Sequence, residues 1–206
     1  MKNRVNRYIK QNLRKEMRRA TYGTIACCYL AGPIGKVHLR SAKTWRINIK
    51  EELAKMGIGW IDPFEKYGDE LSRIRSNLLR WNKEGNIDKI RVLVRSYIIP
   101  PDIESVQFVD FIIAYLPASG SEIECPECKK KIDCHAEVCG TYGEVTHAFY
   151  KDIPVYIVTD RPLKPNTIPN WGVGCSTKIF KSFDDLLKFL NEEWVKSDGK
   201  RKKIKN

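Results

Sequence analysis

Four groups of residues in this 206-residue chain have types and spacings suited to chemistry. Tyr29-Leu30-Ala31-Gly32-Pro33 closes a short apolar run. Asp102 stands eight residues before Asp110. Gly140-Thr141-Tyr142-Gly143-Glu144 opens a segment patterned as a helix. Cys125, Cys128, Cys134 and Cys139 fall within fifteen residues, with His135 among them. A Gly-Thr turn at a helix start offers backbone N–H groups to an anionic or polyhydroxyl ligand, and Glu144, expected in the first turn, points toward the same crevice. Plainer roles exist for each. The strand-end YLAGP is ordinary turn chemistry, Asp102 is a helix N-cap, and Glu144 is a first-turn carboxylate favoured by the helix dipole.

The cysteine cluster points to a metal. Cys125-Pro-Glu-Cys128 has the spacing of half a zinc site, a tight turn presenting two thiolates. Cys134 and Cys139 complete a four-thiolate shell, with His135 as the alternative ligand. A full shell leaves no open position, so the zinc is expected to be structural, and no organic cofactor is implied. The total of seven cysteines is odd, and the N-terminal residues lack the apolar core of a secretory signal. Both features favour a reducing, cytoplasmic setting over a disulfide framework. Cys27 and Cys28, in an apolar run, read as core residues.

The elements that must position these groups alternate. Ile25–Ala31 and Phe111–Leu116 read as buried strands, and Ile58–Ile61, Val155–Thr159 and Lys178–Phe180 as further short strands. Between them, Trp45, Ile49, Leu53 and Met56 recur at helical spacing, with Gly57 placed to end that helix. Leu71, Ile74, Leu78 and Trp81 suit another helix, interrupted at Gly85-Asn86. Pro100-Pro101 reads as a break, with Asp102 capping the next helix. Ser182 starts the last helix with Asp185 in capping-box style. Continuous apolar strands with helices between them predict a parallel α/β sheet, whose ligands bind beyond the carboxyl ends of the strands.

The net charge of +12 is not spread evenly. Residues 1–19 hold eight Lys/Arg against Glu16, and residues 196–206 hold six against Asp198, so the two ends carry the whole excess. The expected organisation is a basic extension over 1–20, a neutral α/β domain over 21–195 with an insertion at 118–139, and a basic tail over 196–206. The ends read as solvated appendages capable of weak polyanion contact. The first could form an amphipathic helix through Val5, Ile9, Leu13 and Met17. No run is apolar and long enough for a membrane span.

Taken in order, YLAGP, Asp102, FIIAYLP, GTYGE, IPVY and STKIFKSFDDLLKFL resemble the nucleoside 2-deoxyribosyltransferase family. The resemblance spans about residues 25–190. It implies a flavodoxin-like, five-stranded parallel sheet and a homo-oligomer, dimer or higher. It also implies an enzyme acting on the N-glycosidic bond of a (2-deoxy)nucleoside or nucleotide. By the same resemblance, Glu144 is the nucleophile that forms a glycosyl intermediate. Asp102 exchanges a proton with the base, and Tyr29 orients Glu144. Gly32, Pro33, Asp62, Gly140 and Thr141 bind substrate. The family's transferases carry an acid six residues before the nucleophile and its monophosphate hydrolases a serine. This chain has Val138 there, which leaves the sugar contact to Thr141, Glu137 or another chain. The alternatives are hydrolysis of nucleoside 5′-monophosphates, a non-catalytic nucleotide sensor on the same fold, or a nucleic-acid binder using the ends and a zinc knuckle.

Overall fold

The computed structural model describes residues 2–34, 39–117, 123–124, 131–132, 139–160, 168 and 170–196. Its centre is a five-stranded parallel sheet of β1 (Ala26–Ala31), β2 (Ile58–Ile61), β3 (Phe111–Tyr115), β6 (Val155–Val158) and β7 (Lys178–Phe180), in the order β2-β1-β3-β6-β7. β1, β2, β3 and β6 are apolar and almost wholly buried because helices cover both faces, whereas the edge strand β7 begins with the exposed Lys178. In register, Tyr29 lies between Ile61 of β2 and Ile112 of β3. Strand order reverses between β1 and β3, and a crevice forms there at the carboxyl edge.

Side-chain alternation sorts the core into two layers. Cys27, Tyr29 and Ala31 of β1 face one layer with Ile112 and Ala114. Cys28 and Leu30 face the other, with Trp45, Ile49 and Leu53 of α2 (Leu39–Lys55) and Leu186 and Leu190 of α9 (Phe183–Leu190). Gly57 ends α2 at φ +69°, and Ser182 caps α9 by accepting from the Asp185 N–H. Cys27 and Cys28 are buried core thiols, as expected.

The N-terminal segment departs from the expected appendage. α1 (Lys2–Thr21) is no appendage. Ile9, Leu13 and Ala20 are buried, and Leu13 and Ala20 join the layer that holds Tyr29. The basic excess occupies the outer face, where Arg7, Lys10, Arg14, Lys15 and Arg18 are exposed. Arg19 links α1 to α3 (Pro63–Tyr67), reaching Glu16 at 2.6 Å and Glu65 at 2.5 Å. The four-residue apolar spacing thus marks a packed helix, and local charge counting misplaces the domain boundary.

Residues 84–110 also depart from expectation. Beyond α4 (Glu70–Lys83), α5 (Ile87–Leu93) runs through a π-helical turn at Val94–Ile98 into α6 (Ile99–Phe108). Pro100-Pro101 therefore begins a helix instead of breaking one, since the first turn tolerates residues without an N–H. Asp102 lies inside that first turn and is not its cap.

Between β3 and α7 (Cys139–Tyr150), β4 (Ile123–Glu124) and β5 (Lys131–Ile132) pair antiparallel. The expected zinc ligands Cys125, Cys128 and Cys134, and His135, lie outside the described residues, as do Glu137 and Val138. Cys139 opens α7, and its side chain is likewise outside the description. α8 (Asn170–Cys175) lies between β6 and β7. Among the described residues, no helix is long and apolar enough to cross a membrane.

Candidate active site

The crevice beside β1 and β3 receives one side chain from each of three neighbouring elements. Tyr29 comes from β1 and has no exposed surface. Asp102 comes from the N-terminal turn of α6, which precedes β3 and therefore starts at the sheet's carboxyl edge. Glu144 comes from α7, which follows β3. Because α7 begins at Cys139, Glu144 is its sixth residue and sits in the second turn, not the first.

One phenol oxygen connects the two acids. Tyr29 Oη lies 2.6 Å from Glu144 Oε1 and 3.4 Å from Asp102 Oδ1. Tyr29 has a single proton, so it donates to one of them at a time. Tyr67, at the end of α3, also reaches Asp102 Oδ1, at 3.0 Å, and the Ile98 carbonyl at 3.1 Å.

A lysine completes the group. Lys66 is fully buried, and its ammonium donates to Asp102 Oδ1. It also donates to Ser105 Oγ at 3.2 Å and to the Pro101 carbonyl at 3.3 Å, and it lies over the rings of Tyr29 and Tyr67. Burying an ammonium is costly unless it is paired and hydrogen-bonded. These three described partners all come from α6, so the ion pair fixes where the Asp102 turn can sit. Ser105 Oγ in turn donates to the Pro101 carbonyl at 2.6 Å.

Arg46 serves the opposite wall. It is 1 % exposed and donates to the carbonyls of Ala42, Leu30 and Gly32 at 2.6, 3.4 and 3.1 Å. These contacts tie the end of β1 and the following turn to α2. Gly32 is required by this packing. A Cβ there would stand 2.8 Å from Trp45 Cζ2.

Burial and the facing Asp102 carboxylate push the Glu144 carboxyl up to about 8. The Tyr29 hydrogen bond and the charges of Lys66 and Arg46 pull it back. Burial, then the two acids, hold Tyr29 well above the usual phenol range, and burial with Asp102 does the same for Tyr67. Both phenols are therefore neutral donors at physiological pH.

Asp102 and Glu144 line a cavity of about 230 Å³. Gly32, Pro33, Gly140 and Thr141 line it as well, so four of the five expected binding positions gather here. Asp62 does not. It caps α3 by accepting from the Phe64 N–H at 2.9 Å, and it pairs with Lys50 and Arg46. An Asp-Pro at a strand end is a helix-start signal first, and here that role uses the carboxylate. The remaining walls are mainly aliphatic, from Leu71, Ile74 and Leu78 of α4 and from Ile34 and Ile98. Arg75 is also present in the lining. The arrangement offers two carboxyl groups of unequal environment joined by a phenol, beside an apolar slot.

Two nearby ring side chains stay out of the site. Trp171 is 60 % exposed on α8, where its indole N–H donates to Thr146 Oγ1 at 2.7 Å, so it does not line the cavity. His147 hydrogen-bonds Gln107 rather than Glu144. Sequence reasoning missed Lys66, Tyr67 and Arg46. The available signal was position alone, because Lys66-Tyr67 follows Asp62-Pro63 just past the carboxyl end of β2.

No protein-family model matches the chain, and no curated protein matches it. Among solved structures, a 2-deoxyribosyltransferase from Bacillus psychrosaccharolyticus superposes with a TM-score of 0.48 and 14 % identity, covering 79 % of this chain and 90 % of that one.

Proposed function

We propose that this chain is an enzyme that cleaves or transfers at the N-glycosidic bond of a (2-deoxy)nucleoside or nucleotide, through a covalent glycosyl–Glu144 intermediate. The observation that carries the reading is the shared phenol, with Tyr29 Oη 2.6 Å from Glu144 and 3.4 Å from Asp102 at one cavity.

Breaking this bond develops positive charge on the sugar and negative charge on the departing base. Glu144, as carboxylate, attacks C1′ while the C1′–N bond breaks, and the bonding pair leaves with the base. Asp102, protonated at that moment, gives its proton to the base nitrogen. The sugar is then an ester of Glu144. A second base or a water, deprotonated by Asp102, attacks C1′ and releases Glu144. This is the retaining two-carboxyl scheme of glycoside hydrolysis applied to a nucleoside. Tyr29 donates to whichever carboxylate is ionised, and so holds Glu144 under C1′ while the ester forms. The aliphatic wall from α4 suits the flat apolar faces of a base and keeps water from the leaving group.

A second reading, hydrolysis of nucleoside 5′-monophosphates, is favoured by Arg75 in the lining, a cation suited to phosphate. The test is to incubate the protein with deoxynucleosides and with their monophosphates, with and without a second base. Exchange of bases supports transfer. Release only from monophosphates supports the second reading. Absence of base release from every substrate contradicts both.

A further inference from the structure

We infer that Lys66 is a positioning residue that places the single proton shared by the two acids on Glu144 in the resting site, with Asp102 held as the carboxylate. The inference rests on the proposed glycosyl chemistry for its meaning, but its geometry stands alone.

The acids differ in their neighbours. Facing Asp102 are Lys66 and Tyr67 from α3, Tyr29 from β1 and Glu144 from α7. Facing Glu144 are Tyr29, Asp102 and, farther off, Lys66 and Arg46 of α2. Arg75 of α4 lines the same cavity. Among the described residues, only Asp102 has an ammonium in direct contact. A fully buried cation against one carboxyl makes that carboxyl the one to ionise, and the like charge this creates keeps the proton on its neighbour. The phenol fits this arrangement. Glu144 donates its O–H to Tyr29 Oη, and Tyr29 donates its own proton to Asp102 Oδ1.

This resting arrangement is the reverse of what attack on C1′ needs. The Glu144 O–H must break as a proton joins Tyr29 Oη, while the original phenol proton passes to Asp102 Oδ1. The products are a Glu144 carboxylate, a neutral Tyr29 and a protonated Asp102, with no net change of charge. Lys66 therefore keeps the nucleophile masked until a bound sugar shifts the balance. Its ammonium is held by Ser105 Oγ and the Pro101 carbonyl as well as by Asp102, so it stays in place while Asp102 changes state.

The test reads carboxyl carbons directly, by NMR titration of protein carrying 13C at Asp and Glu side-chain carboxyls. Asp102 and Glu144 are assigned through Asp102→Asn and Glu144→Gln. In wild type near pH 7, the Glu144 carbon is expected at its protonated shift and the Asp102 carbon at its ionised shift. In Lys66→Met, part of the protonated signal is expected to move to Asp102, and the last deprotonation of the pair to rise by about one to three pH units. Lys66→Arg restores the wild-type distribution. Wild type with the proton on Asp102, or Lys66→Met with an unchanged distribution, overturns the inference. If Lys66→Met does not fold, the wild-type titration decides alone. No substrate is needed, so a protein inert toward every nucleoside contradicts the proposed function without touching this result.

Discussion

Tyr29 and Glu144, 115 residues apart in sequence, meet at 2.6 Å through the phenol and one carboxylate oxygen. A β-strand residue without exposed surface thereby fixes the rotamer of a helical acid. Removing the hydroxyl alone should preserve the packing of the ring. Tyr29→Phe is expected to lower kcat by about ten- to a hundred-fold, the worth of a hydrogen bond to a charged group. It should also raise the Glu144 titration above about 8, because the phenol is one of the groups pulling it down. A pH–rate profile of the variant checks both.

Glu144 also makes stability depend on pH in a definite direction. Its carboxyl titrates near 4.5 when exposed and near 8 in the fold. Below about 4.5 both states hold the proton, and the group's contribution to stability is fully present. Between about 4.5 and about 8 unfolding releases that proton, so the contribution is progressively lost as pH rises, and above about 8 the loss is complete. Cavity-facing surface on Glu144 tempers the effect, which makes about 1.4 kcal/mol per pH unit a ceiling. Urea unfolding of wild type and Glu144→Gln across this window should give a stability difference that shifts toward the variant with pH. A difference independent of pH contradicts the assignment.

The docking of α1 makes two positions sensitive. A Cβ on Gly59 of β2 would lie 1.8 Å from the Ala20 carbonyl oxygen, so α1 must move away to accept it. Gly59→Ala is expected to cost about 3 kcal/mol, the upper end for overpacking, because backbone and not a flexible side chain is in the way. Leu13→Ala should cost about 2–5 kcal/mol by opening a cavity in the same layer. Denaturant midpoints of both variants measure this. Midpoints equal to wild type contradict the view that the basic N-terminal segment is part of the core.

The parallel sheet was legible because its strands are continuous apolar runs separated by helical spacing, with Gly57 and Ser182 marking ends that the fold uses. Tyr29, Asp102 and Glu144 were legible through the order of YLAGP, Asp102 and GTYGE and the family resemblance that this order carries, and the motifs fall near strand ends and helix starts, where topology collects side chains. Lys66 was not, since a lysine one residue before a tyrosine carries no pattern, and its burial comes from α6 closing over it. Asp62 misled for the opposite reason. The resemblance made its carboxylate a ligand contact, whereas the fold uses it for the α3 cap and for Lys50 and Arg46. The ends misled because charge, counted along a helix, conceals the buried stripe of Ile9 and Leu13.

For the cysteine cluster the spacing alone carries a proposal. Cys125, Cys128, Cys134 and Cys139, with His135 as alternative, are expected to hold one structural zinc per chain, in the segment leading into α7 and Glu144. Elemental analysis of the purified protein should find one equivalent, and Cys128→Ser should lose it. Chelation is then expected to abolish base release. Metal-free protein with undiminished turnover contradicts a role for the metal in setting the nucleophile.

The glycosyl ester is the account's central species, and mass spectrometry of acid-quenched protein observes it directly. After mixing with a deoxynucleoside or its monophosphate, the peptide containing Glu144 should carry one added sugar unit, with the base free in solution. Glu144→Gln should show neither adduct nor turnover. Base release at an undiminished rate from Glu144→Gln, or turnover in wild type with the sugar attached to any other residue, would contradict the account.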